Sequence, residues 1–280
     1  MRTFKPILLM SFIAASACCA STNAPIKVLS IGNSFSVNAH KHLKQIADSM
    51  GSPLVLGNAV IGGCPLQRHW NNASTNGVCY SYKGEKITLE QFLKADKWDV
   101  VTIQQASGSS RFPDTFEPFG TQLIAFIKAH APQAEVVVHE TWAYRQDEKR
   151  ITNWKISTDA MYADVSKTYK DFAKKHGLRV IPAGDAFQLA RKTPAWGDYT
   201  PANKETGAPA SGKTLQGGDG YHANTSGEYL LGCVWYEFLF KKDVRPSTYL
   251  PKGLSPEDAA ILRDIAHKTV TEGVLAPVEK

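Results

Sequence analysis

Residues 26–50 combine the features of a buried strand, a tight turn and a helix, and the turn carries Ser34. Residues 26–31 are largely apolar and β-branched, which is typical of a strand buried on both faces. After Gly32, apolar residues recur at helical spacing over 37–50. A side chain on such a turn lies at the carboxyl edge of the sheet, where open α/β folds bind their ligands. Ser34 is therefore a candidate functional residue, although a serine here could equally serve only to cap the helix.

The same alternation of strand and helix patterns continues along the chain. Further strands are predicted at 54–61, 98–104, 135–138 and 178–181, each followed by a helical or turn segment. Five such alternations predict the α/β class, with a parallel sheet of about five strands and helices on both faces. A chain of 280 residues is long enough to bury one large core. We therefore expect a single domain over residues 24–280.

A second candidate cluster lies near the end of the chain. The segment 193–218 is rich in Pro, Gly, Thr and Ser and is predicted to be a long loop. It leads into Asp219 and His222, which precede another helical run. A serine with a histidine and an aspartate supplies the three groups of a hydrolytic triad, in which His222 would take the Ser34 proton and Asp219 would orient the imidazole.

These residues give the chain a family resemblance. It resembles the SGNH hydrolases, the GDSL-like esterase and lipase superfamily, and most closely a branch known only as a domain of unknown function. Residues 32–36 match the nucleophile block, with Asn33 in place of the usual Asp, and Asp219 with His222 matches the last block. The resemblance covers most of the chain and implies a three-layer, flavodoxin-like α/β/α sandwich.

The resemblance also implies an oxyanion hole. Gly62 and Gly63 fit the glycine block, although a strand followed by two glycines is also explained by a tight turn alone. The third block departs from the family pattern, because residues 104–107 read Gln-Gln-Ala-Ser where many members carry Gly-x-Asn-Asp. The predicted donors are the backbone N–H of Ser34, the N–H of Gly63 or Gly62, and the side chain of Gln105 in place of the missing asparagine.

Several polar and aromatic residues are candidates for binding substrate. The segment 64–88 is predicted to be a loop with a short hairpin, and its aromatic and amide side chains are those a sugar-binding rim would use. Aromatic residues in loops also often pack on the core, so this alternative stays open. The candidates are Asn33, Trp70, Ser107, Trp142 and Tyr221.

The first twenty residues predict export. Arg2 and Lys5 precede an apolar run over 7–15 and then small residues, which indicates a signal peptide over residues 1–20. Cleavage before Cys18 would allow lipidation of that cysteine, whereas cleavage after Ala17 or Ala20 would not. We expect a periplasmic or cell-surface protein whose only membrane association is a lipid anchor at Cys18, if one is attached.

Charge and cysteine content indicate which binding partners and cofactors are expected. Removing residues 1–20 lowers the net charge from +6 to +4, and no basic run indicates nucleic-acid binding. Cys64 and Cys79 could form a disulfide in an oxidising compartment, and Cys233 lies in an apolar run typical of a core residue. No Cys-x-x-Cys or His-Glu-x-x-His spacing appears, so no metal or cofactor is predicted. We expect a monomer.

Together these features predict a serine esterase that hydrolyses an ester on a carbohydrate, with acetyl as the first candidate acyl group. Two alternatives stay open. One is a non-catalytic, exported glycan-binding protein on the same fold. The other is an acyltransferase, which would pass the acyl group to an acceptor other than water.

Overall fold

The computed structural model describes residues 24–203 and 205–273. The predicted signal peptide at 1–20, with Cys18, lies outside the described residues, and so do residues 274–280. Among the helices that are described, none is long and apolar enough to cross a lipid bilayer.

Seven strands and ten α-helices follow one another along the described chain. The strands are β1 (Ile26–Gly32), β2 (Leu54–Val60), β3 (Tyr80–Tyr82), β4 (Glu85–Ile87), β5 (Val100–Ile103), β6 (Glu135–His139) and β7 (Arg179–Ile181). The helices are α1 (Ser34–His40), α2 (Leu43–Ser49), α3 (Leu66–Ser74), α4 (Leu89–Lys94), α5 (Phe119–His130), α6 (Lys149–Trp154), α7 (Thr158–His176), α8 (Ala183–Arg191), α9 (Thr225–Phe240) and α10 (Pro256–Glu272).

The central sheet confirms the predicted fold class. Its five strands lie in the order β2-β1-β5-β6-β7 and every neighbouring pair is parallel. In this register Gly32 pairs with Val60, and Ile31 pairs with Ile103. The segments that follow β1, β2 and β5 therefore emerge side by side at the carboxyl edge, where a ligand is expected.

Helices cover the sheet and enclose its apolar strands. Helix α9 packs against α1, α2, α8 and α10, whereas α3 packs against α4 and α5. Twelve of the sixteen residues of α9 are buried, as expected for a helix that is apolar nearly all round. This arrangement agrees with the three-layer sandwich that the family resemblance implies.

Two segments differ from the expectation. The predicted single helix over 37–50 is two helices, α1 and α2, separated where His42 turns inward to bond the Tyr249 hydroxyl at 2.9 Å. The segment 64–88 does contain the predicted hairpin, formed by β3 and β4, but it begins with a helix, α3. Cys64 and Cys79 are free thiols in this structure.

A buried carboxyl group follows β6. Glu140 is fully buried, and its Oε2 accepts a hydrogen bond from the Asp185 N–H at 3.0 Å. Its Oε1 has no hydrogen-bond partner among the described residues. Burial, and then the nearby carboxylate of Asp185, raise the pKa of Glu140 well above its ordinary value. Between about pH 4.3 and its raised native pKa, the Glu140 carboxyl is therefore protonated in the native protein but ionised in the unfolded chain.

We expect Glu140→Gln to remove part of the pH dependence of stability. Because the native pKa is raised, the free energy of unfolding should fall as pH rises above about 4.3 toward the native pKa, and the neutral amide should flatten this slope. Urea unfolding of both proteins across this pH range measures the effect. Glu135→Gln is the control, and it should change the pH dependence of stability in the opposite direction, because the hydrogen bonds from Arg179 lower the pKa of Glu135. If the free energy of unfolding varied with pH in the same way in the native protein and in Glu140→Gln, the raised pKa of Glu140 would be contradicted.

Candidate active site

The structure brings Ser34, His222 and Asp219 together at the carboxyl edge of the sheet. The Ser34 Oγ lies 2.7 Å from His222 Nε2, and His222 Nδ1 lies 2.7 Å from Asp219 Oδ2. With Nδ1–H donating to the carboxylate, Nε2 is left to accept the serine proton. Ser34 is partly exposed, so its oxygen can be reached from solvent.

Asp219 is held as a carboxylate. Its Oδ1 accepts the backbone N–H groups of Tyr221 at 3.1 Å and His222 at 3.0 Å. Partial burial alone would raise the pKa of Asp219, but these hydrogen bonds and the bond from the His222 ring outweigh it and lower the pKa. An ionised Asp219 can stabilise an imidazolium formed on His222.

The turn before Ser34 is shaped by Gly32 and Asn33. A Cβ at Gly32 would lie 2.4 Å from the Ser36 Oγ and 2.8 Å from the Gln104 Cγ, so only glycine fits there. The Asn33 Oδ1 accepts the Phe35 N–H at 3.1 Å and caps α1. Asn33 is only 2 % exposed, so its assignment to substrate binding was wrong, and the residue shapes the turn instead.

Hydrogen bonds join this turn to the two neighbouring loops. Gln104 Nε2 donates to Asn33 Oδ1 at 2.8 Å, and Gln104 Oε1 accepts the Ser36 hydroxyl at 2.6 Å. Asn33 Nδ2 donates to the Cys64 carbonyl at 3.2 Å, on the glycine loop. Sequence reasoning missed Gln104, which lies one residue before the predicted Gln105.

The glycine loop presents backbone N–H groups beside Ser34. Its start is fixed by the bond from the Ile61 N–H to the Gly32 carbonyl at 3.1 Å. Gly62 and Gly63 are exposed, and Gly63 has a φ of +59°, which favours glycine. The N–H groups of Ser34, Gly62 and Gly63 have no backbone partner within the described chain. These are the N–H groups that the sequence predicts as oxyanion donors.

The side chain of Gln105 does not fit the predicted oxyanion hole. Its Nε2 donates to the Thr115 carbonyl at 2.7 Å and to the Thr115 Oγ1 at 3.2 Å. Its Oε1 accepts the N–H groups of Leu66 at 3.0 Å and Ala106 at 2.8 Å. Both amide hydrogens are thus already used, and the buried side chain satisfies the first N–H of α3.

Trp142 was predicted to bind substrate, but the structure buries it. It is 0 % exposed and stacks between Phe35 and Phe187, with ring centroids at 4.2 and 4.7 Å. Its Nε1 donates to the Tyr221 carbonyl at 2.8 Å. Trp142 therefore supports the loop that carries His222 and contacts no solvent.

The other candidates for substrate binding have different surroundings. Ser107 is 8 % exposed and bonds the Tyr144 hydroxyl at 2.8 Å. Trp70 is half-buried and meets the ring of Phe126 at 6.4 Å, which joins α3 to α5. Tyr221 is partly exposed and lies 4.2 Å from the His222 ring, so it is the candidate whose position best suits contact with substrate.

One charged residue beside Tyr221 was not predicted. The Arg150 guanidinium lies 4.2 Å from the Tyr144 ring and 4.4 Å from the Tyr221 ring. It also donates to the Tyr144 hydroxyl at 2.8 Å and to Glu148 at 2.9 Å. No spacing in the sequence distinguishes Arg150 from the charged residues around it.

A group with metal-ligand chemistry occurs elsewhere. The ligand atoms of Glu237, Asp243 and His267 lie within 4.8 Å of one another. His267 Nδ1 contacts Glu237 at 2.5 Å, and Asp243 pairs with Arg245 at 2.6 Å. The three side chains are thus already occupied by contacts with one another and with Arg245.

The sequence and the fold place the chain in a family. Residues 27–269 match the model of the family described as a domain of unknown function, DUF4886, so the chain belongs to that family. A DUF4886 family protein from Bacteroides uniformis has a similar structure, with a TM-score of 0.77 and 29% identity over 91% of this chain and 98% of that chain. No protein among those with curated functions matches the chain.

Other solved structures share the fold at lower identity. A protein proposed to be an SGNH hydrolase from Slackia heliotrinireducens has a TM-score of 0.55 and 20% identity over 76% of this chain and 98% of that one. The acetyl xylan esterase AlAXEase has a TM-score of 0.50 and 14% identity over 76% of this chain and 100% of that one. The fold is therefore that of the SGNH and GDSL-like hydrolases.

The central role of Asn33 is testable with Asn33→Asp. The carboxylate keeps the acceptor for Phe35 and Gln104 but cannot donate to the Cys64 carbonyl, so the two oxygens would face each other. We expect a loss of about 1–3 kcal/mol in the free energy of unfolding, measured in urea. Asn153→Asp, the same substitution at an exposed side chain of α6, is the control and should change stability far less. Unchanged stability in Asn33→Asp would contradict the proposed link.

Proposed function

We propose that this protein is a serine esterase that uses Ser34, His222 and Asp219 to hydrolyse an ester on a carbohydrate. The observation that carries the proposal is the continuous chain of contacts from the Ser34 Oγ through the His222 ring to Asp219, at 2.7 Å for each step. A structural serine cap would require neither the histidine nor the carboxylate behind it. The fold by itself, without any statement about the substrate, agrees with that of the ester hydrolases among the structural relatives.

The proposed reaction begins with attack by the Ser34 oxygen on the ester carbonyl carbon. His222 Nε2 takes the serine proton, and the ionised Asp219 stabilises the imidazolium. When the tetrahedral intermediate collapses, the imidazolium gives its proton to the leaving alcohol and an acyl-serine remains. Water, deprotonated by His222, then attacks the acyl group and releases the acid and free Ser34.

The oxyanion would be bound by backbone groups alone. The N–H groups of Ser34 and of Gly62 or Gly63 have no backbone partner among the described residues and lie on adjoining loops, and the bond from Asn33 to Cys64 keeps those loops together. Losing one such donor typically slows turnover by about a hundredfold to a thousandfold. Without a donor from Gln105, the hole should stabilise the oxyanion less than one with three donors.

The carbohydrate part of the proposal has separate support. The predicted export would expose the protein to extracellular glycans, and Tyr221 offers a partly exposed ring beside His222. An aromatic face of this kind can stack on a sugar ring. The fold is also compatible with removing an acetyl group from a polysaccharide, since AlAXEase shares it. Acetyl is therefore the first acyl group to test.

The occupied Gln105 side chain favours one alternative, a glycan-binding protein without turnover. In that case Ser34→Ala would leave glycan affinity unchanged, and no acylated glycan would be hydrolysed. Glycan affinity together with hydrolysis that depends on Ser34 would exclude this alternative.

We expect Ser34→Ala to lower kcat for 4-nitrophenyl acetate by at least about a thousandfold, because the nucleophile is lost. Asp219→Asn should also lower kcat strongly, because the amide cannot stabilise the imidazolium. The exposed Ser74→Ala is the matched control and should retain full activity. Equal turnover by the native protein and Ser34→Ala would exclude Ser34 as the nucleophile.

A further inference from the structure

A separate cavity adjoins the segment that leads into the loop with Asp219 and His222, and neither these two residues nor Ser34 line it. Its volume is about 280 Å³. The end of α8, the start of α7 and the segments 145–147, 196–201 and 213–216 line it. Ligand sites in proteins start at about 300 Å³, so this cavity suits one small molecule or one sugar ring.

The cavity has an excess of positive charge. Four cationic side chains line it, against two carboxylates: Arg145, Arg191, Lys192 and Lys213 against Asp147 and Asp159. Arg145 is paired with Asp147, and Lys213 is paired with Asp258 outside the cavity. Arg191 and Lys192 form no ion pair with any carboxylate of the described residues.

Arg191 is the unusual member of this set. It is the last residue of α8, and its Nη2 donates to Gln188 Oε1 at 2.5 Å. Its Nε and Nη1 are shielded from solvent and have no hydrogen-bond partner among the described residues. Burial lowers the pKa of Arg191 to about 10, so the guanidinium still carries its charge at neutral pH. The nearby Asp159 carboxylate partly offsets this lowering, but the Nε–H and Nη1–H donors still have no acceptor among the described residues, which is costly for donors shielded from water.

Two aromatic side chains, Trp196 and Tyr199, also line the cavity. The Trp196 indole is 4 % exposed, and its Nε1 also has no hydrogen-bond partner within the described chain. The Tyr199 ring lies 4.6 Å from the Arg145 guanidinium. Aromatic rings together with hydrogen-bonding donors match the faces and hydroxyls of a sugar, whereas an inorganic ion would need only the cations.

The cavity shares residues with the support of the triad loop. Arg145 Nη1 donates to the Gly217 carbonyl at 2.8 Å, and the Arg145 N–H donates to the Gly220 carbonyl at 2.8 Å. Gln216, which lines the cavity, immediately precedes this loop. A ligand in the cavity would therefore lie close to the back of the triad loop and not in contact with Ser34.

We propose that this cavity is a subsite for a sugar residue that carries an anionic oxygen group, a carboxylate or a sulfate, with Arg191 and Lys192 as its cationic partners. The proposal deepens the proposed function, since it assigns the esterase an acidic glycan as substrate. The anionic group would supply acceptors for the Nε and Nη1 donors of Arg191, and the sugar ring would pack against the side chains of Trp196 and Tyr199.

Binding to the full chain carrying Ser34→Ala tests the subsite without any need for turnover. Calorimetric titrations with galacturonate, galactose 6-sulfate and galactose should show binding of a charged sugar and at least about tenfold weaker binding of galactose, as expected for the loss of one charged hydrogen-bonding group. The two charged sugars distinguish a carboxylate from a sulfate. Equal affinity for galactose would overturn the charge argument. Inorganic sulfate or acetate binding as tightly as the sugars would overturn the sugar argument.

Substitutions of the two cationic side chains test whether the sugar binds in this cavity. Arg191→Met and Lys192→Met should each weaken binding of the charged sugar by about tenfold, whereas Lys268→Met, which removes an exposed charge from α10, should not. Arg191→Met should unfold at the same temperature or higher, because it removes two shielded donors that have no acceptor among the described residues. A lower unfolding temperature would show that the fold already compensates the guanidinium, and would contradict the proposal. Charged-sugar binding without any hydrolysis dependent on Ser34 would refute the esterase and leave the subsite standing.

Discussion

The side-chain amide of Asn33 joins the three loops on which the proposed chemistry depends. Its oxygen accepts hydrogen bonds from Phe35 and Gln104, and its nitrogen donates to Cys64. These partners belong to the nucleophile turn, the segment after β5 and the glycine loop. Because the amide is buried, each missing bond would leave an unsatisfied polar group. The donors proposed for the oxyanion would thus be arranged before substrate binds, which is the condition for effective electrostatic stabilisation.

The loop with Asp219 and His222 is fixed from the opposite side. Trp142 holds the Tyr221 carbonyl, and Arg145 holds the Gly217 carbonyl. The histidine therefore meets the serine through a loop that is supported by buried or half-buried side chains, although the loop itself is partly exposed. The same support forms one wall of the charged cavity, so the two proposed sites share a common structural element.

The pairing of Ser34 with His222, which is 188 residues away, is predicted by residue chemistry and family resemblance and not by a local pattern. Local patterns suffice for the positions of the strands along the chain, because strand signals depend on neighbouring residues. They fail for α3, a mostly polar helix, although the three- and four-residue spacing of Leu66, His69 and Ala73 is a helical signal. They also fail for Trp142 and Gln105. Which way those side chains point depends on packing against distant residues, and no short stretch of sequence contains that information.

The central claim is that Ser34 is an activated nucleophile, and covalent labelling tests it most directly. The protein would be treated with an alkyl fluorophosphonate, and the modified residue would be located by mass spectrometry of its peptides. The account predicts one adduct, on Ser34, that forms much more slowly in His222→Ala. No adduct, an adduct on another serine such as Ser36, or labelling unaffected by His222→Ala would contradict it.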